Sequence, residues 1–235
     1  QYTADQATNL QIELAKLGFT MREIQDSTKY ILLFAQATGS DLAEAASLAG
    51  ASLRMFDADT VETERYVSAM AVATTKSALS FSYLATALPI VGPVAKSFNF
   101  TIEDTLSLLG KLADSGFDAS SAATATRNIF LNLADVNGKL AKSLGKPISS
   151  LDELAEGLIS LREKGIDLNE ALELTDKRSV AAFNSFLTAV DKIKPLRDSV
   201  TDVGEGLAKM ADEMSNNTAG EIKTLSSAWD ELMIS

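Results

Sequence analysis

The chain has 235 residues, with 46% hydrophobic and 23% charged side chains, enough to bury a sizeable core and unlike a disordered composition. Its 21 basic and 32 acidic groups leave a formal charge of −11, the wrong sign for a surface that must displace counterions from nucleic-acid phosphates, so no direct nucleic-acid binding is expected. It contains no cysteine and no histidine, which excludes disulfides, thiolate chemistry and the commonest metal ligand.

Apolar residues recur at spacings of three and four, and alternating strand patterns are absent. The expected fold is therefore all-α: a multi-helix bundle of about ten short-to-medium helices joined by Gly/N-cap turns. They are placed near 4–17, 20–37, 41–55, 60–79, 81–98, 101–115, 118–133, 150–164, 168–174, 177–193 and 196–235, the last breaking around Asn216-Asn217. Local basic spots such as Lys192, Lys194 and Arg197 fit the end of a helix, where the macrodipole favours cations. The prolines Pro89, Pro93, Pro147 and Pro195 read as helix starts or breaks, and the glycines as helix ends.

The turns repeat one device. A helix stops at Gly, an apolar residue follows, then an N-cap, often with an acid three residues later. Gly18-Phe19-Thr20 with Glu23, Gly116-Phe117-Asp118, and Gly165-Ile166-Asp167 with Glu170 follow it, and Asn99-Phe100-Thr101 with Asp104 substitutes Asn for Gly. Gly takes positive φ without a steric penalty, and the Thr or Asp oxygen accepts the orphan N–H groups of the next helix. Ser150 with Glu153 and Thr218 with Glu221 read as further capping boxes. The device makes a weak internal repeat of no fixed period, which is not a solenoid. The turn-rich stretch 134–149 offers sub-lobes 1–133 and 150–235 as an alternative to one helical domain over 1–235. The N-terminus shows no signal peptide, and both ends have helical character, as in a piece of a longer protein.

Chemistry finds little to build on. Asp57, Asp59, Glu62 and Glu64 cluster, but a calcium loop started at Asp57 would place Glu62 where Gly is needed and Ser68 where the closing acid is needed. Asp59 as a helix cap with Glu62 and Glu64 in the first turn accounts for them. Asp135-Val136-Asn137-Gly138 matches half a calcium loop and reads better as an Asx turn. There is no Gly-x-Ser-x-Gly elbow and no phosphate-binding glycine pattern. A glycosidase needs only two carboxylates, but nothing marks such a pair, and the one tryptophan, Trp229, lies near the end of the chain. No catalytic, cofactor-binding or metal-ligating residue is expected, and no enzyme activity.

Residues 77–95 carry no charge. Their length approaches that of a bilayer span, which makes membrane contact an alternative. Pro89, Gly92, Pro93 and several Ser and Thr residues favour instead a helix ending near Leu88 and restarting at proline, both buried in the core.

An ordered series of segments resembles the core region of phage tail tape-measure proteins. It comprises Gly92-Pro93-Val94-Ala95, Phe100-Thr101-Ile102-Glu103-Asp104, Leu112-Ala113-Asp114-Ser115-Gly116, and Ser121 to Arg127. Ala35 to Leu42 with Phe56-Asp57, Asp176-Lys177-Arg178, and Gly204 to Leu232 extend the similarity over most of the chain. The resemblance implies a structural protein of a phage or prophage tail that sets tail length, nucleates tube assembly and helps deliver DNA. It implies several copies per tail, with tail tube proteins, tail-initiator proteins and assembly chaperones as partners. It places the protein in the virion tail and, during assembly, in the host bacterial cytoplasm. A ruler should be extended at about 1.5 Å per helical residue, whereas this sequence is broken by well-formed turns, so a folded module, or a state that later unwinds, is expected. A helical module holding a partner peptide in a groove and a membrane-active segment for DNA injection are the competing readings.

Overall fold

The computed structural model describes residues 3–135, 137–145, 148–203 and 206–215. Twelve α-helices and no strand occur among them: α1 (Ala4–Lys16), α2 (Met21–Thr38), α3 (Leu42–Met55), α4 (Thr63–Lys76), α5 (Phe81–Ser97), α6 (Ile102–Asp114), α7 (Ala119–Ala134), α8 (Lys139–Leu144), α9 (Leu151–Glu163), α10 (Leu168–Leu174), α11 (Val180–Val200) and α12 (Gly206–Ser215). A 3₁₀ turn, Thr60–Glu62, precedes α4. The expected all-α class is what forms. Thr218, Glu221, Trp229, Pro147 and the break at Asn216-Asn217 lie outside the described residues.

The turn device forms as a physical unit. Gly18, Gly116 and Gly165 have φ of +81°, +85° and +71°. The Phe19 and Phe117 amides reach back to the carbonyls of Leu14 and Leu112, at 3.1 and 3.0 Å, closing the ended helix. Thr20, Thr101 and Asp167 then make reciprocal capping boxes with Glu23, Asp104 and Glu170. The box at Ser150 is displaced: Ser150 accepts the Glu153 amide at 3.2 Å, but the Glu153 carboxylate bonds Ser149 instead. Two further turns place a left-handed residue two positions before an N-cap, Gly39 before Asp41 and Asp57 before Asp59, with φ of +64° and +53°.

The chain forms two compact units. One comprises residues 1–72 together with the chain from Val203, and the other comprises Ala73–Asp202. In the first unit α1 and α3 pair, α2 packs on both, and α12 lies along α2. Leu10, Leu14, Ile31, Phe34, Leu42 and Leu53 fill its interior. In the second unit α5 packs along α7, and α11 is the central helix, contacting α6, α7, α9 and α10. Residues 134–149 lie within this second unit; they include α8, which packs on α7 and α9.

The prolines depart from expectation. Pro89 and Pro93 sit inside α5, and Pro195 inside α11, which runs unbroken from Val180 to Val200 in place of helices split near 195. All three rings face solvent. A proline strands the carbonyl four residues earlier, and on an exposed face water can satisfy that carbonyl while the buried side of the helix stays regular. The glycines depart too. Gly50, Gly92, Gly110 and Gly157 lie within α3, α5, α6 and α9 rather than at helix ends.

Candidate functional site

The acidic groups singled out from the sequence stay local. Asp59 accepts the Val61 amide at 3.0 Å, and Glu62 pairs with Arg65 at 2.9 Å. Asp135 accepts the Asn137 amide at 3.0 Å, which is the Asx turn expected there. Among the described residues no three acidic side chains converge to hold a metal ion.

A shallow cleft of about 550 Å³ opens in the first unit where the start of α2 meets the 3₁₀ turn. It is lined by Arg22, Glu23, Asp26, Tyr30 and Asp59 among others. Carboxylate chemistry there would need one acid with a raised pKa as proton donor. Glu23 is shifted the other way: hydrogen bonds from the Thr20 backbone and hydroxyl hold it below the ordinary carboxylate range. One of its oxygens accepts the Thr20 amide of the helix cap at 2.6 Å.

The uncharged stretch 77–95 is mostly α5. Ser80 caps it, accepting the Tyr83 amide at 3.1 Å. Leu84, Ala87, Leu88, Val91, Gly92 and Ala95 are buried, while Ser82, Ala85, Thr86, Pro89 and Pro93 face solvent. The expected break after Leu88 does not occur; one amphipathic helix covers the segment. Burial and the charge of Asp118 push the Tyr83 hydroxyl up to about 12. No described helix is long and apolar enough to cross a membrane.

The most developed polar arrangement ties three helices of the second unit. Arg197 on α11 lies 3.2 Å from Asp152 at the start of α9, 3.9 Å from Asp104 at the start of α6, and 2.9 Å from its neighbour Asp198. Lys194 adds a 2.6 Å bond to Asp152. Both acids sit in first turns, where the helix dipole also favours them. Asp104 is only 7% exposed, and burial raises its carboxyl above the ordinary value despite the opposing Thr101 bonds and Arg197 charge. Asp152 is held low by the Lys194 bond, against some desolvation, with Arg197 adding to it. Lys194 and Arg197 were visible in the sequence only as a basic helix end. Their partners Asp152 and Asp104 lie 42 to 93 residues away, so no local signal could have paired them.

The two acids oppose each other with pH. Asp104, raised in the folded state, costs stability when charged, and that cost is relieved as pH falls through its folded value. Asp152, depressed, contributes stability above the ordinary aspartate range and loses it as pH falls through its folded value. Replacing Arg197 by Leu removes the cation beside Asp104 and leaves Asp152 to Lys194. The expected loss at neutral pH is about 1–2 kcal/mol, less than for a fully buried pair because Arg197 is 23% exposed. The loss should shrink at acid pH, first as Asp104, whose carboxyl is raised, becomes neutral, and further below the ordinary aspartate range as the depressed Asp152 does. Urea unfolding followed by circular dichroism at both pH values measures it; an equal loss at both would show that packing, not charge, is what Arg197 supplies.

These features define an all-α structural module, in which the developed polar chemistry fixes helices to one another. The chain belongs to the phage-related minor tail protein family, whose family model matches residues 1–230. It is similar to the tape measure protein of Pneumococcus phage Dp-1, with 25% identity over 247 aligned residues that cover 99% of this chain and 22% of the relative. It is likewise 25% identical, over 247 aligned residues, to the probable tape measure protein of Escherichia phage P2, covering 97% of this chain and 30% of that relative. The chain thus spans under a third of the length of the curated relatives it matches. No solved structure matches it.

Proposed function

We propose that this chain is a folded assembly module of a tape-measure protein, acting structurally and not as an enzyme, in a parent protein that sets tail length and organises building of the tail tube. Tail tube proteins, tail-initiator proteins, assembly chaperones and further copies of itself are its proposed partners. The virion tail is its proposed location, with the host cytoplasm as the site of assembly. The observation that carries the reading is the combination of family membership with the turn device. A stretch serving only as a counted length of helix has no use for capping boxes at Thr20, Thr101 and Asp167 or left-handed stops at Gly18, Gly116 and Gly165. The left-handed stops at Gly18, Gly39, Asp57, Asn99, Gly116, Gly145 and Gly165 follow one another at 17 to 42 residues, which is local evidence for folding in place.

The test is in-frame removal of these 235 residues from the parent gene, followed by electron microscopy of lysates. The expected result is the loss of assembled tails. Tails shortened by roughly 350 Å, the helical length of the segment, would overturn the folded-module reading in favour of a counted ruler. Tails of normal length and number would overturn the assembly role.

A further inference from the structure

The turn between α7 and α8 holds an asparagine in a setting that no other asparagine of the chain shares. Asn137 is the only one followed by glycine, and it is exposed. Its own amide donates to Asp135 Oδ1 at 3.0 Å, and the Gly138 amide donates to the Asp135 carbonyl at 2.7 Å. The approach is close enough to dictate the residue. A side-chain carbon on Gly138 would stand 2.9 Å from that carbonyl oxygen and 3.1 Å from Asp135 Oδ2, so glycine is what the turn admits. Glycine is also the residue that leaves its own backbone nitrogen unshielded. Such a nitrogen can attack the side-chain amide of the asparagine before it, the chemistry that makes asparagine a thermolabile residue. The turn that requires glycine at 138 thus also occupies the proton of that nitrogen, which cannot attack until the bond opens.

We propose that Asn137 is a site of spontaneous deamidation in the folded protein, and that the two hydrogen bonds to Asp135 set its rate. When the Gly138 bond opens, solvent base takes the amide proton and the nitrogen attacks Asn137 Cγ. The bond from Cγ to Nδ2 breaks, and ammonia leaves with a proton from water. Water then opens the cyclic imide at either carbonyl, giving aspartate or isoaspartate. The net change is one water consumed and one ammonia released, with no redox step, and either product adds one negative charge. The change falls at the entry to α8, which packs on α7 and α9, and isoaspartate also puts an extra carbon into the backbone there. Nothing in this chemistry depends on the assembly role.

The whole chain, held at neutral pH and followed by intact mass and peptide mapping, is expected to convert at Asn137 ahead of every other asparagine. Unfolding in guanidinium chloride should speed that conversion about tenfold, the factor that corresponds to losing two ordinary hydrogen bonds. In the folded chain Asp135→Ala, which removes Oδ1 but keeps the backbone carbonyl, should speed it about threefold. Asp135→Asn keeps an acceptor oxygen at that place and should leave the rate unchanged. Earlier modification of another asparagine, an Asn137 that stays intact in the folded chain after the unfolded chain has converted, or equal rates in the two states would each overturn the proposal. So would an Asp135→Ala chain that converts no faster than the unmodified one. The comparison of folded and unfolded chain needs no substitution, so it decides the matter even if a variant fails to fold.

Discussion

Phe130→Ala is expected to destabilise residues 73–202 by about 3–5 kcal/mol, among the largest losses available to one substitution in this chain. Phe130 on α7 is fully buried. Its ring meets Phe100 edge-to-face at a centroid distance of 4.9 Å and Phe98 at 5.7 Å. Phe98 and Phe100 flank Asn99, the left-handed residue of the turn between α5 and α6. The ring therefore touches both sides of one turn from a third helix. Truncation removes the transfer free energy of the ring and leaves a cavity, and it also dissolves the edge-to-face contact with Phe100, worth about 0.5–1.5 kcal/mol, and the tilted contact with Phe98. Phe98→Ala should cost visibly less, because Phe98 is half-buried. Urea unfolding by circular dichroism, with amide exchange assigning the loss to the second unit, tests the ranking. Equal losses at the two positions would show that the cluster is not centred on Phe130.

The parts of this fold that are legible in the sequence are the local ones. A left-handed stop, an apolar residue and an N-cap lie within five residues, and their hydrogen bonds close within that span, so Gly18, Gly116 and Gly165 could be placed before any tertiary contact was known. The 3.6-residue periodicity likewise set most helix positions. Helix α8 escaped notice because it has six residues and its N-cap, Gly138, offers no side-chain acceptor. The prolines misled for a definite reason: proline interrupts a ladder, but whether that ends a helix depends on whether the stranded carbonyl faces water, and Pro89, Pro93 and Pro195 all do face it. The interior glycines misled for a related one. A glycine that ends a helix and one that lets another chain segment approach look alike until the neighbour is known. The ion cluster at Arg197 and the nesting of one unit in the other are non-local and left no mark in composition or spacing. The family resemblance was legible because it is carried by an ordered series of such local turns, no one of which is specific.

Gly110 is the sharpest case of a residue decided by its neighbour. Helix propensity alone would place Ala there, favoured over Gly by about 1 kcal/mol in a helix interior. A side-chain carbon at 110 would stand 2.7 Å from Leu196 Cδ2 and 3.1 Å from Ser77 Oγ. Leu196 is on α11, the central helix of the second unit, so glycine sets how closely α6 and α11 approach. Gly110→Ala should be nearly neutral, the propensity gain offset by forcing Leu196 into another rotamer. Gly110→Leu cannot be absorbed that way. Its further carbons must push α11 from α6, and because α11 also contacts α7, α9 and α10 the shift has no free direction. A loss of about 3 kcal/mol is expected, at the upper end for overpacking. Leu196→Ala alone should also destabilise, by opening a cavity, yet added to Gly110→Leu it should restore roughly 1–2 kcal/mol by vacating the space the new side chain needs. Two losses that simply add in the double variant would mean that the contact between α6 and α11 is looser than this geometry, and that glycine at 110 is there for some other reason.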